Sequence, residues 1–208
     1  MANKKLAMII DLERCIGCHT CAMACKQGNN LPNDVWWNRV LTFGGTVMDT
    51  PHGNFPNLQM SFLTLNCQHC DDAPCVKACP TEATYKREDG VVMQDYDKCL
   101  GCRMCILACP YNSVRNYNET EPRYYLDFSV GDQGARGQQK GTVSKCTFCH
   151  HRVDEGLQPN CIEVCPVRAR AFGDISDSDS EVSRLIETRE HTKLLANKGT
   201  QPSVYYLI

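Results

Sequence analysis

A chain of 208 residues with sixteen cysteines and only 8% aromatic residues offers little conventional apolar core for its length. A domain with a thin core usually depends on a covalent or metallic crosslink for its stability. The net charge of −2, with no long basic or acidic run, argues against nucleic acid as a main partner. No stretch approaches the roughly 18 apolar residues of a membrane-spanning helix, so the sequence predicts no direct membrane span.

The cysteines fall into four groups of four along the chain. The first group reads "CIGCHTCAMAC" and has the spacing C-x2-C-x2-C-x3-C, and the third, "CLGCRMCILAC", repeats it. The second group is spaced C-x2-C-x4-C-x3-C and the fourth C-x2-C-x11-C-x3-C. In order, the groups are Cys15, Cys18, Cys21 and Cys25; Cys67, Cys70, Cys75 and Cys79; Cys99, Cys102, Cys105 and Cys109; and Cys146, Cys149, Cys161 and Cys165.

This spacing is typical of ligands to 4Fe–4S clusters. Thiolates held two residues apart can bind one face of an iron–sulfur cube, and a last cysteine followed by proline binds the other cluster of a pair. Three of the groups end in Cys-Pro, whereas Cys25 is followed by Lys26, which is the weakest point of the pattern. Sixteen thiolates at four per cluster predict four 4Fe–4S clusters, with iron bound by all sixteen cysteines.

Other uses of the cysteines fit less well. Disulfides are a poor fit because two-residue loops repeated this tightly strain the bridge geometry. Structural zinc is the more serious alternative because it commonly binds C-x2-C pairs, but a two-pair zinc site does not need the third thiol of C-x2-C-x2-C. A 3Fe–4S cluster in place of one cube usually follows the loss of a cysteine, and none is lost here.

The stretch between the second and third groups predicts a short hairpin, with a turn at Asp89-Gly90 followed by the apolar residues 91–93. It resembles the linker of a bacterial two-cluster ferredoxin, so these two groups form one ferredoxin-like unit. Each group lends its last cysteine to the other's cluster. One cluster then takes Cys67, Cys70, Cys75 and Cys109 (the third set), and the other takes Cys79, Cys99, Cys102 and Cys105 (the fourth set).

The first and fourth groups resemble the two cysteine groups of one such unit, separated from each other in the sequence. "MIIDLERCIGC" (8–18) matches "VMQDYDKCLGC" (92–102), and "CPVRARAFGD" (165–174) parallels "CPTEATYKRE" (79–88). Such internal repeats indicate that the chain order is permuted and that one unit is inserted within the other. The remaining clusters then take Cys15, Cys18, Cys21 and Cys165 (the first set), and Cys25, Cys146, Cys149 and Cys161 (the second set).

We therefore expect an α+β fold of two bacterial-ferredoxin-like units, each with two 4Fe–4S clusters, with long loops and a C-terminal tail. Residues 1–66 and 110–208 form the outer unit and residues 67–109 the inserted unit. In the outer unit, the sequence predicts a turn at Gly44-Gly45 and a strand over 58–65.

Two further segments of the outer unit carry local patterns. The Gly/Gln-rich stretch 129–141 predicts a loop that is mobile on its own and either contacts a partner or is a simple surface loop. A short helix is expected after Asp174, with apolar positions at Val182, Leu185 and Ile186.

Several side chains are candidates for supporting roles. Gly17 and Gly101 would relieve backbone crowding beside a cluster. His19 and His69 lie inside motifs and could tune a potential or bind a partner, with ordinary surface histidines as the favoured alternative. The residues suited to apolar packing around clusters are Ile16, Ala22, Met23, Ala24, Ile106, Leu107 and Ala108. The interface candidates, with core packing as the favoured alternative, are Trp36, Trp37, Tyr205 and Tyr206. The cations that could balance loaded clusters, or be simply solvated, are Lys26, Lys77, Lys98, Arg103, Lys145, Arg168 and Arg170.

Together these motifs resemble the four-cluster iron–sulfur (beta) subunit of the dimethyl sulfoxide reductase family of molybdopterin oxidoreductases, most of all its polysulfide, arsenate and dimethyl sulfoxide branches. The resemblance covers nearly the whole chain and rests on "IDLERCIGCHTCAMACK", "CQHCDDAPCVKACPTEATYKREDGVV", "CLGCRMCILACPYN" and "KCTFCHHRVDEGLQPNCIEVCPVRARAFGD". The ending "GTQPSVYYL" also resembles the polysulfide and arsenate branch. Nitrate-reductase relatives replace the position of Cys102 and hold a 3Fe–4S cluster there, so retention of Cys102 implies four cubes.

The resemblance implies an electron-transfer subunit with no catalytic site of its own. Such a subunit relays single electrons between a large molybdopterin catalytic subunit, with molybdenum or tungsten, and a quinone-reactive membrane subunit or another carrier. By the same resemblance, the first set lies nearest the large subunit, followed by the second and third sets, and the fourth set faces the quinone side.

The resemblance also implies a membrane-associated complex on the extracytoplasmic side, reached by export together with the catalytic subunit, with a cytoplasmic location as the alternative. The apolar run before Asp11 is too short for a secretory signal, and no twin arginine is present. Two other classes compete with the relay subunit: a free-standing polyferredoxin that serves several enzymes, and a zinc-stapled interaction module.

Overall fold

The computed structural model describes residues 4–44, 47–111 and 113–208. Its strands are β1 (Leu6–Asp11), β2 (Asn38–Phe43), β3 (His52–Asn54), β4 (Asn57–Gln59), β5 (Ser61–Asn66), β6 (Thr84–Lys86), β7 (Val92–Gln94), β8 (Arg115–Tyr117), β9 (Val143–Lys145), β10 (Arg170–Asp174), β11 (His191–Thr192) and β12 (Val204–Leu207). Its helices are α1 (Thr20–Gly28), α2 (Pro74–Lys77), α3 (Met104–Leu107), α4 (His150–Val153), α5 (Asn160–Glu163) and α6 (Glu181–Thr188), with a 3₁₀ turn at Ala196–Lys198.

The largest sheet is built around β1. This strand pairs antiparallel with β10 and parallel with β12, and β11 pairs with the other side of β12. All six residues of β1 are buried, which explains the continuous apolar run "LAMII" in its sequence. One face of the sheet packs into the main core with Trp37, Phe148 and Phe172, and the other packs beneath α6.

The short helix predicted near the C-terminus is confirmed as α6. Ser180 is its N-cap, because Ser180 Oγ accepts a hydrogen bond from the amide of Ser183 at 3.2 Å. Val182 is fully buried against the sheet, and Leu185 and Ile186 are partly buried beside it. The helix therefore covers one face of the sheet and carries none of the cysteines.

The hairpin predicted between the second and third cysteine groups is also confirmed. β6 and β7 pair antiparallel, and Gly90 in the turn has a φ of 86° that favours glycine. The amide of Val91 donates to Asp89 Oδ1 at 3.1 Å, which stabilises the turn.

The outer strands form three further antiparallel pairs. β2 pairs with β5, and the β3–β4 pair lies between these two strands in the sequence. The single strand predicted over 58–65 is divided between β4 and β5, with Met60 outside both. β8 pairs with β9. The predicted turn at Gly44-Gly45 lies partly outside the described residues, which end at Gly44 and resume at Val47.

The first and third cysteine groups share a local backbone conformation. Helices α1 and α3 begin at equivalent points, and the residues before them, His19 and Arg103, have left-handed φ angles of 59° and 62°. Gly17 and Gly101, two positions earlier in each group, both have a φ of 68°. The sequence repeat is therefore also a repeat of structure.

The proposed role of four aromatic residues as interface candidates is wrong for three of them. Trp37, Tyr205 and Tyr206 are only 5%, 8% and 0% exposed, because β12 and the core enclose them. Trp36 is partly exposed, and Lys26 Nζ lies 4.3 Å from its ring centroid. Core packing, the favoured alternative, is correct for the three buried residues.

The loop 129–141 contains no helix or strand and is tied to the rest of the chain. Asp132 accepts a hydrogen bond from Asn160 Nδ2 at 2.5 Å, and Arg136 pairs with Asp97 at 2.5 Å. The side chain of Gln138 is buried beside Tyr96. Across the described ranges, the helices are too short or too polar to cross a bilayer.

Candidate metal centres

All four thiols of the first set lie in the wall of one cavity, which Arg170 also lines. The first group brings three of them and the loop before β10 brings Cys165. Burial raises the pKa of Cys15, and the neighbouring thiols of Cys21 and Cys165 raise it further. The amide of Ala169 donates to Cys165 Sγ at 3.2 Å. The cavity therefore joins two motifs that are far apart in the chain.

At positions 17 and 101, neighbouring protein atoms leave no space for a side chain, so glycine is required there. A Cβ at Gly17 would lie 2.4 Å from the ring of Phe62, and one at Gly101 would lie 2.2 Å from the carbonyl oxygen of Gly141. Their positive φ angles add to the restriction. The crowding that the structure shows comes from Phe62 and Gly141, and crowding beside a cluster stays a prediction.

The thiols of the second set lie together in the core. Burial and the thiols of Cys146, Cys149 and Cys161 raise the pKa of Cys25 well above its usual value. Asn29 Nδ2 lies 3.8 Å from Cys25 Sγ and 3.7 Å from Cys149 Sγ. Cys25 is not followed by proline, but helix α1 places it beside Cys146, Cys149 and Cys161 of the fourth group.

The third set is also assembled from two groups. Burial and the thiols of Cys67 and Cys75 raise the pKa of Cys70 to about 11. Burial and the same two thiols raise the pKa of Cys109 to about 11. Cys109, the last cysteine of the third group, therefore lies close to cysteines of the second group.

Three of the four cysteines of the fourth set lie near one another. Burial raises the pKa of Cys105, which lies beside Cys99 and Thr84. The amide of Thr84 also donates to Cys79 Sγ at 3.4 Å, so this residue contacts both Cys79 and Cys105. Cys102 is exposed at the surface, and its membership of the set follows from the motif spacing.

Thiols of neighbouring sets also lie close enough to affect one another's pKa, although burial is the larger cause. Cys161 lies near Cys21, which joins the second set to the first. Cys146 lies near Cys67, which joins the second set to the third. Cys105 lies near Cys75, which joins the third set to the fourth. The four sets therefore follow one another in a line.

The two ends of this line reach the surface. Cys18 in the first set and Cys102 in the fourth are exposed, whereas every other cysteine is buried or partly buried. The same two cysteine groups carry exposed apolar side chains: Ile16 and Met23 are 57% and 56% exposed, and the equivalent residues Leu100 and Leu107 are 73% and 79% exposed.

The expected packing role is therefore wrong for Met23 and Leu107, which face outward, whereas Ile16 lines the cavity of the first set although it is also exposed. Ala22 is buried, and Ala24, Ile106 and Ala108 are partly buried.

The candidate cations divide into buried and exposed residues. Lys145 and Arg170 are buried, and Lys26 donates to the carbonyl of Val35 at 3.0 Å. Arg115 on β8 is a third buried cation. It lies outside the cysteine motifs, so the sequence does not predict it, and only its burial in the structure identifies it. The candidates exposed to solvent are Lys77, Lys98, Arg103 and Arg168.

The two histidines of the motifs differ in environment. His69 is buried, so its interpretation as a surface histidine is wrong. Its ring stacks on Phe148 at 3.7 Å between centroids, and its Nδ1 accepts from the amide of Val92 at 3.1 Å. Burial holds the pKa of His69 well below its usual value. His19 is half-buried, and its Nε2 lies 3.4 Å from Asp49 Oδ1.

The donor sets fit 4Fe–4S clusters by their chemistry. Each set offers thiols in a largely apolar setting, and backbone amides donate to Sγ atoms such as that of Cys146, from Phe148 at 3.4 Å. In the part of the chain that the structure describes, no three His, Cys, Asp or Glu residues lie close enough to share a single metal ion. A 4Fe–4S cluster does not need such a group, since its four ligands bind four different irons.

Comparison with protein families matches the same segments. A model described as a 4Fe-4S dicluster domain matches residues 58–124 and 133–175, and a 4Fe-4S binding domain model matches residues 6–27. The chain therefore contains ferredoxin-like 4Fe–4S dicluster domains of mixed helix and strand, and its metal groups are 4Fe–4S clusters.

Several relatives match nearly the whole chain. A dimethyl sulfoxide reductase iron–sulfur subunit from Halobacterium salinarum is 52% identical, over 96% of this chain and 78% of the relative. The arsenate respiratory reductase iron–sulfur subunit of a Shewanella species is 36% identical, over 98% of this chain and 96% of the relative. A sulfite dehydrogenase subunit of Allochromatium vinosum is 37% identical, over 98% of this chain and 82% of the relative.

Proposed function

Because the chain belongs to the family of iron–sulfur subunits of dimethyl sulfoxide reductase-type molybdopterin oxidoreductases, we propose that its sixteen cysteines hold four 4Fe–4S clusters in the four sets described above. Members of this family are electron-transfer subunits, and that is the function of this chain. When bound, each cluster supplies one-electron oxidation and reduction.

The observation that carries the proposal is the linear order of the four thiol sets. Neighbouring sets share close thiol pairs, and the sets at the two ends include the exposed Cys18 and Cys102. A relay needs this arrangement, because an electron must enter at one surface, pass between adjacent centres and leave at another. The second and third sets contain no exposed cysteine.

The chain's own residues bind and insulate the clusters. The thiolates bind iron, and the amides of Phe148, Ala169 and Thr84 donate hydrogen bonds to the ligand sulfurs, which stabilises negative charge there. The apolar core excludes water from the middle of the relay. No acid, base or nucleophile is needed for this transfer, so we assign no catalytic residue to the chain.

We also propose the nested arrangement, with residues 67–109 as a ferredoxin-like unit inserted into one formed by 1–66 and 110–208. Two equivalent strand pairs support it. β6 and β7 pair antiparallel between the second and third groups, and β10 and β1 pair antiparallel beside the fourth and first. The shared backbone of the first and third groups supports the same correspondence.

Two partners follow from the proposed relay. The end with Cys18 receives the large molybdopterin subunit, with molybdenum or tungsten, and the end with Cys102 receives a quinone-reactive membrane subunit or another electron carrier. Exposed apolar side chains flank the exposed cysteine at both ends, as expected of surfaces covered in a complex. We assign the complex to the extracytoplasmic side of a membrane by export with the catalytic subunit, with the cytoplasm as the alternative.

Anaerobic isolation through a tag on this chain tests the proposal, with iron and heavy-metal analysis and mass spectrometry of co-purifying proteins. We expect about sixteen irons per chain, from four clusters of four irons, together with a large companion that contains molybdenum or tungsten. About sixteen irons without a companion would favour the free-standing polyferredoxin. Zinc in place of iron would contradict the cluster assignment.

A further inference from the structure

Three basic side chains are buried in the core without a carboxylate partner. Arg115, Lys145 and Arg170 are 6%, 0% and 6% exposed. None of them occurs among the ion pairs of the described residues, all of which join other Lys, Arg or His residues to Asp or Glu. A buried charge is costly unless an opposite charge lies nearby. The thiolates of loaded sites are the negative groups available.

Arg170 lies between the first and second sets. It is the first residue of β10 and lines the cavity that the four thiols of the first set share. It also lies beside Cys161 of the second set. Its Nη2 donates to Asn38 Oδ1 at 3.1 Å, which fixes the guanidinium in this position.

Lys145 lies between the second and third sets. It directly precedes Cys146, and its Nζ donates to the Cys146 carbonyl at 2.9 Å and to the Val92 carbonyl. The ammonium group lies beside Cys146 of the second set and Cys67 of the third.

Arg115 lies between the third and fourth sets. It lies beside Cys67, Cys75 and Cys109 of the third set and Cys105 of the fourth. Its Nη1 lies 3.4 Å from Gln94 Oε1, whereas its buried Nη2 has no hydrogen-bond partner among the described residues. Arg115 therefore places a buried charge, with one donor that has no partner among the described residues, beside thiols of both sets.

We propose that Arg170, Lys145 and Arg115 are junction cations, each of which is the shared counter-charge of two neighbouring clusters and holds both at a higher reduction potential. This inference rests on the ligand sets of the proposed function. Reduction adds negative charge to a cluster, and a nearby buried cation stabilises the reduced state more than the oxidised state. Because each cation lies at a boundary, its charge acts on two clusters rather than one.

The test replaces each cation by glutamine, which removes the charge but keeps a hydrogen-bond donor. Anaerobic redox titrations of the intact complex, followed by electron paramagnetic resonance, give the midpoint potential of each cluster. We expect Arg170→Gln to lower the potentials at the first and second sets, Lys145→Gln those at the second and third, and Arg115→Gln those at the third and fourth. The other two potentials should stay unchanged in each variant.

Charge-conserving variants and a surface control distinguish the effect of the lost charge from the effect of the changed side-chain shape. Arg170→Lys, Lys145→Arg and Arg115→Lys should shift the potentials much less than the glutamine variants. Arg123→Met should shift none, because Arg123 lies outside the cysteine motifs and its side chain is 78% exposed beside Asp34. Iron loss in a glutamine variant alone, with full iron in its charge-conserving counterpart, would also support the proposal.

Three results would overturn it: unchanged potentials in a fully loaded glutamine variant, an equal shift of all four potentials, or equal effects of glutamine and charge-conserving variants. Failure of the ligand sets themselves is distinguishable, because the unsubstituted protein would then contain fewer than about sixteen irons.

Discussion

Gly101 illustrates at the residue scale how tightly the backbone is packed around the fourth set. It has a φ of 68° and a Cβ there would lie 2.2 Å from the carbonyl oxygen of Gly141. Gly141 has a φ of 75° but open space around it, and Gly137 has open space and no positive φ. Alanine substitutions at these three positions therefore distinguish the cost of an unfavourable backbone conformation from the cost of a steric clash.

We expect three different outcomes from alanine at these glycines. Gly137→Ala should leave the thermal unfolding midpoint of the loaded protein unchanged or slightly raised. Gly141→Ala should destabilise the protein by about 1–2 kcal/mol, the cost of a left-handed alanine. Gly101→Ala should cost more than Gly141→Ala, because overpacking against a rigid carbonyl adds about 1–3 kcal/mol. Equal midpoints for Gly141→Ala and Gly101→Ala would contradict the clash.

The sequence identifies residues well where spacing encodes their role. The cysteines and the two motif glycines follow from the repeat itself, and Lys145 and Arg170 lie close enough to cysteines to be considered. Arg115 lies outside the motifs on β8, so only the folded chain brings it beside Cys67 and Cys105. The outward orientation of Met23 and Leu107 also depends on which neighbours cover them, which spacing does not specify.

At the scale of elements, strand β12 attaches the C-terminal segment to the core. Tyr206 is fully buried, and its hydroxyl donates to the Thr64 carbonyl at 3.0 Å and accepts from Gln68 Nε2 at 3.2 Å. Burial raises the pKa of Tyr206 to about 12, so the hydroxyl stays protonated and can donate. One side chain thus connects β12 to β5 and to the second cysteine group.

Tyr206→Phe should lower the free energy of unfolding by about 1–3 kcal/mol, because it removes two buried hydrogen bonds, one to the Thr64 carbonyl and one from the Gln68 amide. Tyr205→Phe is the matched control. Tyr205 forms ring contacts with His191 and Lys193, which phenylalanine keeps, so we expect a change within about 0.5 kcal/mol. Anaerobic denaturation of the two variants measures the difference, and equal stabilities would contradict the hydroxyl's role.

Elements with strong local signals are predictable from the sequence, and their pairings over long distances are not. The β6–β7 hairpin and helix α6 have a turn or a cap that fixes them locally. The parallel pairing of β12 with β1 joins residues near opposite ends of the sequence, and no local pattern encodes it. The aromatic residues of β12 therefore suggest an interface in the sequence but lie in the core.

At the scale of the whole molecule, two apolar pairs mark the ends of the relay. Ile16 and Met23 flank the exposed Cys18, and Leu100 and Leu107 occupy the equivalent positions beside Cys102. Since each pair lies at one end of the line of thiol sets, each should contact a different partner.

We expect Ile16→Asp with Met23→Asp to release the catalytic subunit and keep the other redox partner. Leu100→Asp with Leu107→Asp should have the opposite effect, because a charge in an apolar contact must be desolvated. Leu195→Asp, at an exposed leucine that belongs to neither pair, should keep both partners. Co-purification measures retention, and iron analysis should find all variants fully loaded. Release of the same partner by both double variants would contradict two separate ends.

The strand order around β1 has a consequence for synthesis of the chain. β1 is made first, but its neighbours β10 and β12 come from residues 170–174 and 204–207, and the first set waits for Cys165. Residues 67–109, by contrast, contain every thiol of the third and fourth sets. On the proposed ligand sets, a growing chain can therefore take up iron within residues 67–109 while Cys15, Cys18 and Cys21 remain open, because the first set is completed only when Cys165 has been synthesised.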